Sequence, residues 1–103
     1  MAVTEVVVPN AEPYRSSFVE EVSTVLDAGN DVLFVDDVDG SPAEIAFINI
    51  AVDGEVEHRG KSQVDADSVI DTLVAGGWHS MGSVGKLFAA GTDASLVMNV
   101  RAG

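Results

Sequence analysis

The middle of this 103-residue chain carries three strand-like runs separated by turn residues. Val32–Val35 and Ile45–Val52 are apolar on both faces, and Glu55–Arg59 alternates between polar and apolar residues. Runs that are apolar on both faces are typical of central strands with helices covering at least one side. We therefore expect three consecutive strands here, the last of them half exposed near a sheet edge. This feature constrains the fold more than any other.

Turn residues and shorter apolar runs complete the predicted sheet. Asp53-Gly54 separates the second and third runs, and an Asp-Gly pair with apolar flanks predicts a type I′ hairpin turn. Further strands are expected at Val3–Val8 and at Leu96–Val100, each bounded by turn-forming or terminal residues.

A first helix is predicted from about Pro13 to Ala28. Proline is tolerated in the first turn of a helix, and Gly29 can end the helix as its C′ residue. The predicted buried stripe has the spacing of one helical face and consists of Tyr14, Phe18, Val22, Val25 and Leu26.

A second helix and a short third helix are predicted further along the chain. Asp65 would be the N-cap of the second helix, with Val64 and Val69 spaced as a hydrophobic staple. Its predicted stripe is Val69, Ile70, Leu73 and Val74, and Gly76-Gly77 ends it. Ser80 would cap a short helix that carries Met81, Val84, Leu87 and Phe88.

Together these elements predict one α+β domain spanning residues 1–103, in the order β-α-β-β-β-α-α-β. Two to three helices would form a single layer on a mostly antiparallel sheet of four to five strands. A chain of this length buries roughly 60–70% of the surface that its unfolded form exposes, which is enough for one core.

Charge is the most unusual property of the composition. The chain has 17 acidic residues against 5 basic ones, a formal net charge of −12 at pH 7. Such a chain repels itself in dilute buffer, and concentrated salt screens the repulsion. This balance favours a protein from a salt-adapted archaeon over an ordinary acidic protein. No cysteine is present, which excludes disulfides and thiolate metal sites.

The sequence also predicts where the protein resides. The N-terminus has no basic region of the kind that begins a signal peptide, and no apolar run approaches the roughly 18 residues of a membrane span. We therefore expect a cytoplasmic protein, or a component of a particle assembled inside a cell, without membrane association.

Three patterns suggest a metal or phosphate site, and each is incomplete. An EF-hand loop aligned on the acidic run Asp36–Gly40 lacks acids at its first and twelfth positions. A P-loop ending at Lys86 lacks a glycine and the hydroxyl residue that the pattern requires. His58 and His79 have no zinc-ligand spacing. We expect no cofactor and no metal. Without a recognisable nucleophile or carboxylate pair, the sequence favours a non-enzymatic function over an enzyme.

Gly82 and Gly85 form a GxxG motif between the second and third predicted helices. A GxxG loop in that position clamps the nucleic-acid backbone in KH domains, and the predicted order of elements is similar to the prokaryotic KH arrangement. That resemblance would make Gly82, Gly85 and Lys86 an RNA-binding loop. Lys86 is the sole base near the loop, and phosphate binding depends on bases, so nucleic acid is not the favoured partner.

Trp78 and Met81 are the candidate interface residues. Tryptophan and methionine are enriched in protein interfaces, although a single tryptophan in a small domain also packs into the core. The favoured function is a non-catalytic interaction or assembly module that binds a protein partner or itself. Its most specific form is a homo-oligomeric structural component of a salt-adapted archaeon or one of its viruses. The alternatives are a KH-like domain that binds single-stranded RNA and, third, a small-ligand enzyme.

Overall fold

The computed structural model describes residues 2–9, 21–89 and 95–102. In these ranges the chain forms nine strands and one short 3-10 helix. The elements are β1 (Ala2–Val8), β2 (Val22–Leu26), β3 (Asn30–Asp36), β4 (Ile45–Ile50), β5 (Gly54–Arg59), the 3-10 helix (Asp65–Asp67), β6 (Val69–Leu73), β7 (His79–Val84), β8 (Lys86–Phe88) and β9 (Leu96–Arg101).

The strands form two sheets. The five-stranded sheet has the order β1-β3-β8-β5-β6, and the four-stranded sheet has the order β2-β9-β4-β7. All neighbours pair antiparallel except β1 and β3, which run parallel. The core lies between the inner faces of the two sheets. Its fully buried side chains include Val32, Phe34, Val56 and Leu87 from the first sheet and Leu26, Ile48, Met98 and Val100 from the second.

The five strands predicted from the sequence are confirmed as β1, β3, β4, β5 and β9. Phe34 and Ile48 are fully buried, whereas Phe47 is half-buried on the outer face of its sheet. The alternation predicted for β5 is also confirmed, because Val56 and His58 are buried. The predicted position near an edge agrees with the structure, since β5 lies next to the edge strand β6, although β5 itself is paired on both sides.

The α+β fold class is wrong, because strands are the only regular secondary structure in the described part of the chain apart from one 3-10 turn. Within the predicted first helix, residues 22–26 form strand β2; residues 10–20 lie outside the described residues. Val22, Thr24 and Leu26 face inward while Ser23 and Val25 are exposed, so burial has a period of two. A run rich in β-branched residues favours that arrangement.

The two later helices are also wrong. Asp65–Asp67 forms a single 3-10 turn, and the chain then continues as strand β6. The β-branched residues there gain more from pairing with β5 than from an isolated helix. The third predicted helix is the pair of strands β7 and β8. Gly82 has a φ of +76°, which a helix does not permit.

The predicted hairpin at Asp53-Gly54 is wrong as well. Strands β4 and β5 belong to different sheets, so this segment crosses from one sheet to the other. A type I′ turn needs positive φ at both central residues, and Gly54 is not among the glycines with positive φ. The Asp53 carboxylate instead accepts a hydrogen bond from the Ala75 N–H at 2.8 Å, which fixes the crossing segment to the chain that follows β6.

Candidate interaction surface

Carboxylates are distributed unequally between the two sheets. No strand of the four-stranded sheet contains Asp or Glu, although the chain has 17 acidic residues. Four of the five strands of the other sheet carry acids, among them Glu5, Asp31, Glu57 and Asp71. Glu5, Asp31 and Glu57 lie on the outer face of their sheet, whereas Asp71 lies opposite the buried Val56 and binds His58 at the sheet edge. The difference between the sheets therefore appears mainly on their outer faces.

The outer face of the four-stranded sheet consists of cross-strand rows. We call this surface the acid-free face, and its residues are Ser23, Val25, Phe47, Asn49, Trp78, Ser80, Val97, Asn99 and Arg101. Val25 lies directly opposite Val97, with 46% and 45% of these residues exposed. A second row places Asn99 between Ser23 and Asn49. In the described strands, this face has apolar and uncharged polar groups and the charge of Arg101 alone.

The third row is built around the Arg101 guanidinium. Strand β9 places Arg101 opposite Phe47 of β4, with the guanidinium carbon 4.3 Å from the centre of the Phe47 ring. The same carbon lies 4.9 Å from the centre of the Trp78 ring. A guanidinium over two ring faces is attracted by both quadrupoles and loses little rotamer entropy. These contacts order the only tryptophan of the chain at one edge of the acid-free face.

The structure places the two predicted interface residues on different sides of their sheet. Trp78 lies half-buried on the outer face, over Arg101. Met81 points inward and packs against the hydrophobic core. Trp78 therefore stays the candidate interface residue that faces solvent, while the position of Met81 suits a core residue.

The three residues of the KH-like loop lie in strands and in the junction between them. Gly82 belongs to β7, Lys86 begins β8 and Gly85 joins the two strands. The helix-loop-helix premise of the KH resemblance is therefore wrong. Gly85 has a steric role, because a Cβ there would lie 2.6 Å from the Cα of Lys61 in the segment that crosses over it.

Lys86 is the centre of an ionic cluster on the outer face of the five-stranded sheet. Its Nζ lies 3.0 Å from an Asp65 carboxylate oxygen and 3.7 Å from Asp31, and only 12% of the Lys86 side chain is exposed. Arg59 donates to the other Asp65 oxygen at 2.9 Å. Hydrogen bonds from Arg59 and then Lys86 hold the pKa of Asp65 below its usual value. This lysine is occupied by carboxylates and is mostly buried, so it is poorly placed to bind phosphate.

The acidic turn satisfies its own carboxylates. One oxygen of Asp36 accepts backbone N–H groups of Val38, Asp39 and Gly40 at 2.9–3.2 Å. Asp39 accepts the N–H and the hydroxyl of Ser41, and the hydroxyl bond is the main cause of its lowered pKa. These contacts are those of a capped hairpin tip. Across the described ranges, no group of three or more His, Cys, Asp or Glu residues could hold a metal ion.

The two histidines make separate structural contacts. His58 is buried on the inner face of β5 and donates from Nε2 to the Asp71 carboxylate at 2.7 Å. His79 donates from Nε2 to the Val74 carbonyl oxygen at 2.7 Å, which closes the connection between β6 and β7. Each contact joins neighbouring elements, and neither histidine belongs to a group of potential metal ligands in the described part of the chain.

Sequence reasoning missed Phe47, Val25, Val97 and Arg101 as surface residues. The sequence pattern predicts a buried strand at Phe47 and a helix stripe at Val25, and the terminal position of Arg101 gives no signal. Their partnership depends on β9 lying between β2 and β4, which is a long-range pairing. Three of the predicted segments that contribute to this sheet contain no acid, and the predicted first helix contains Glu20, Glu21 and Asp27. The sequence does not show that parts of these segments share one sheet.

Comparison of the chain with protein-family models, curated proteins and solved structures finds no match. No helix within residues 2–9, 21–89 and 95–102 is long and apolar enough to cross a membrane.

Proposed function

We propose that this protein is a non-catalytic assembly module that associates with further copies of itself through the acid-free face. The observation that carries the proposal is the absence of carboxylates from all strands of one sheet in a chain of net charge −12. Two copies of so acidic a protein repel each other. They approach at the lowest electrostatic cost through a surface where carboxylate does not face carboxylate.

The groups on this face can be buried at low cost. The exposed Val25 and Val97 side chains gain free energy when they leave water, at about 25 cal/mol per Å² of apolar surface. Asn49 and Asn99 carry amides that can pair with the same groups of a second copy. Arg101 contributes one charge, but a guanidinium is more weakly hydrated than an ammonium and already lies over two rings.

The size of the face predicts a weak interface. Four strands about 4.8 Å apart, with six residues rising about 3.3 Å each, give a flat area of roughly 19 by 20 Å. Stable interfaces bury roughly 800 Å² of accessible surface per partner. We therefore expect association that depends on concentration in the micromolar range, and that strengthens in concentrated salt as the remaining carboxylates are screened.

Sedimentation equilibrium of the full chain in 0.1 M and 2 M KCl tests the proposal. We expect the mean mass to rise with protein concentration, and to rise more in 2 M KCl. Val97→Asp places a carboxylate at the centre of the face, and we expect it to weaken association by at least tenfold. A strict monomer at all concentrations in 2 M KCl would refute self-assembly.

Matched variants distinguish an effect of charge on the acid-free face from effects of the total charge and of the stability of the protein. Val38→Asp adds the same charge at an exposed valine of the hairpin tip, which is 64% exposed, and it should change the association constant by less than twofold. Val97→Thr keeps the β-branched shape and should leave association nearly intact. Equal weakening by Val97→Asp and Val38→Asp would show that the acid-free face is not the interface. Circular dichroism confirms that each variant is folded.

The salt-adapted archaeal or viral origin of this module stays a prediction. It rests on the excess of acids over bases in the sequence, while the self-assembly proposal rests on where those acids lie. The two ideas share one expectation, which is that concentrated salt stabilises the associated form.

A further inference from the structure

Strand β6 is an edge strand with exposed apolar side chains. It is the last strand of the five-stranded sheet, and no other described strand pairs with its far side. Val69 is 54% exposed and Ile70 is 62% exposed, one on each face of the strand. Val64 and Val74, which flank the strand, are 64% and 59% exposed. An edge strand of this kind is a template for pairing with another chain.

Side-chain contacts hold β6 in place as a strand. Its five residues pair in register with β5, from Gly54↔Leu73 to His58↔Val69. Asp71 accepts the hydrogen bond from His58, and the Ser68 hydroxyl before the strand donates to Glu57 at 2.7 Å. Leu73 is buried at the other end. A strand fixed on one side presents its other side already extended, which reduces the entropy lost when a partner pairs with it.

Carboxylates surround this edge. Asp65 and Asp67 precede β6, Asp71 lies within it, and Glu55 pairs with Thr72 from the neighbouring strand. Two bases of this region, Arg59 and Lys86, are both bound to Asp65. The electrostatic potential at β6 is therefore negative, and it favours a cationic partner over a second copy of this acidic chain.

We propose that β6 is a strand-addition site for an extended segment of a basic protein in which apolar and basic residues alternate. Main-chain hydrogen bonds to the free side of β6 would supply affinity, as in other cases of β-augmentation. Apolar side chains of the segment would lie beside Ile70 on one face of the strand, and its basic side chains would lie on the other face near Asp71, which shares that face with Val69. This site is distinct from the acid-free face and binds a different class of partner.

Strand β7, an edge of the four-stranded sheet, is less suitable. It contains Gly82 at positive φ, and its pairing with β4 shifts in register between Ile45 and Phe47. Such irregularities are a common protection of sheet edges. Strand β6 pairs with β5 without a register shift, and its only charged residue, Asp71, is bound to His58.

Fluorescence anisotropy of a labelled peptide tests this proposal on the full chain. The probe is a seven-residue peptide of alternating Val and Lys, titrated with protein in 0.1 M KCl. We expect saturable binding that weakens at least tenfold in 1 M KCl, because charge attraction is screened. A peptide of the same sequence with N-methyl groups on two adjacent central amides loses a donor to β6 whichever way the segment faces, because successive N–H groups of a strand point to opposite sides, and it should bind at least tenfold more weakly. Equal binding of both peptides would overturn strand addition.

Protein variants locate the site. Ile70→Lys places a like charge on the edge, as natural edge strands do, and should weaken peptide binding at least tenfold. Val38→Lys changes charge and apolar exposure in the same way at a position 64% exposed, and should stay within twofold of the native protein. Amide chemical-shift changes in ¹⁵N spectra should concentrate in residues 69–74. Changes concentrated elsewhere would overturn the assignment, even if Ile70→Lys were poorly folded.

The two proposals fail independently. Val97→Asp should weaken self-association at least tenfold and leave peptide binding unchanged, whereas Ile70→Lys should weaken peptide binding at least tenfold and leave self-association unchanged. Their salt dependences also have opposite signs. If Ile70→Lys were to reduce self-association in 2 M KCl while Val97→Asp did not, then β6 would be the site of self-pairing and both assignments would be wrong.

Discussion

The outer faces of the two sheets differ in chemistry although both inner faces are mostly apolar. On the five-stranded sheet, Lys86 is mostly buried under the segment of residues 60–68 and is bound to carboxylates. On the four-stranded sheet, the single cation lies over two aromatic rings, and two opposed valines are about half exposed. The comparison shows that a strongly acidic chain can keep one face free of acids, and therefore available for contact between like-charged copies.

The difference arises from the period of the strands. Successive side chains point to opposite faces, so each strand supplies one set of residues to the core and another to the surface. Both core sets are mostly apolar, with Phe34 and Ile48 fully buried. The surface sets are free to diverge, because they do not contact each other across the core.

The largest expected effect comes from breaking the ionic cluster on the five-stranded sheet. Lys86→Met should destabilise the protein by about 3 kcal/mol, since it leaves the buried Asp31 carboxylate without its cation. The measurement is urea unfolding followed by circular dichroism. Lys61→Met removes the same charge from an exposed lysine and should change the free energy of unfolding by less than about 0.5 kcal/mol.

A double variant distinguishes the pair from simple packing. Asp31→Asn keeps an oxygen to accept the Ala89 N–H, which Asp31 now binds at 2.9 Å. Combined with Lys86→Met, it should recover more than half of the lost stability, because the unpaired charge is gone. A double variant as unstable as Lys86→Met alone would mean that the lysine acts mainly through packing.

A smaller effect is expected on the four-stranded sheet. Arg101→Gln removes both cation–π contacts and should cost about 1 kcal/mol. Because Trp78 is the only tryptophan, its fluorescence emission should shift to longer wavelength as the ring becomes more exposed. Arg101→Lys keeps the charge without the planar stack and should give an intermediate shift. Unchanged emission in Arg101→Gln would contradict the stacked arrangement.

The smallest effect concerns the exposed member of the ionic cluster. The hydrogen bond from Arg59, and then that from Lys86, lowers the pKa of Asp65 from 3.8. Its ionised form is favoured in the folded state, so the stabilisation is complete above pH 3.8 and disappears as the pH falls through the lower folded pKa. Asp65→Asn should therefore be less stable than the native protein at pH 7, with a difference that shrinks below pH 4. A difference independent of pH would exclude this origin.

The strands could be predicted where burial on both faces or clear alternation marked them, as in Val32–Val35 and Glu55–Arg59. Local sequence patterns could not show that the segments predicted as helices form strands. In residues 22–26 the apolar positions fit a helical stripe as well as a strand, and the partner strand β9 lies about 70 residues later in the sequence. In residues 69–73 adjacent apolar residues suggested a helix, while pairing with β5 made them a strand.

The candidate surface was partly predictable. Trp78 was identified from its residue type and lies on the acid-free face, but Met81, three positions later, points to the core. The sequence did not link Phe47 and Arg101 to Trp78. Phe47 and Arg101 are 54 positions apart along the chain, and only the pairing of β4 with β9 brings these two residues together. A side chain's direction depends on register, and register is a property of the assembled sheet.

The sequence by itself determined the excess of acids, the lack of cysteine and the positions of five strands, because these depend on composition or on local patterns of apolar residues. The tertiary structure decided that the described parts of the predicted helices form strands, that β4 and β5 belong to different sheets, and that all strands of one sheet lack carboxylates. Each of these outcomes depends on long-range pairing, in which hydrogen bonds and burial between distant segments outweigh the weak local preferences of the chain.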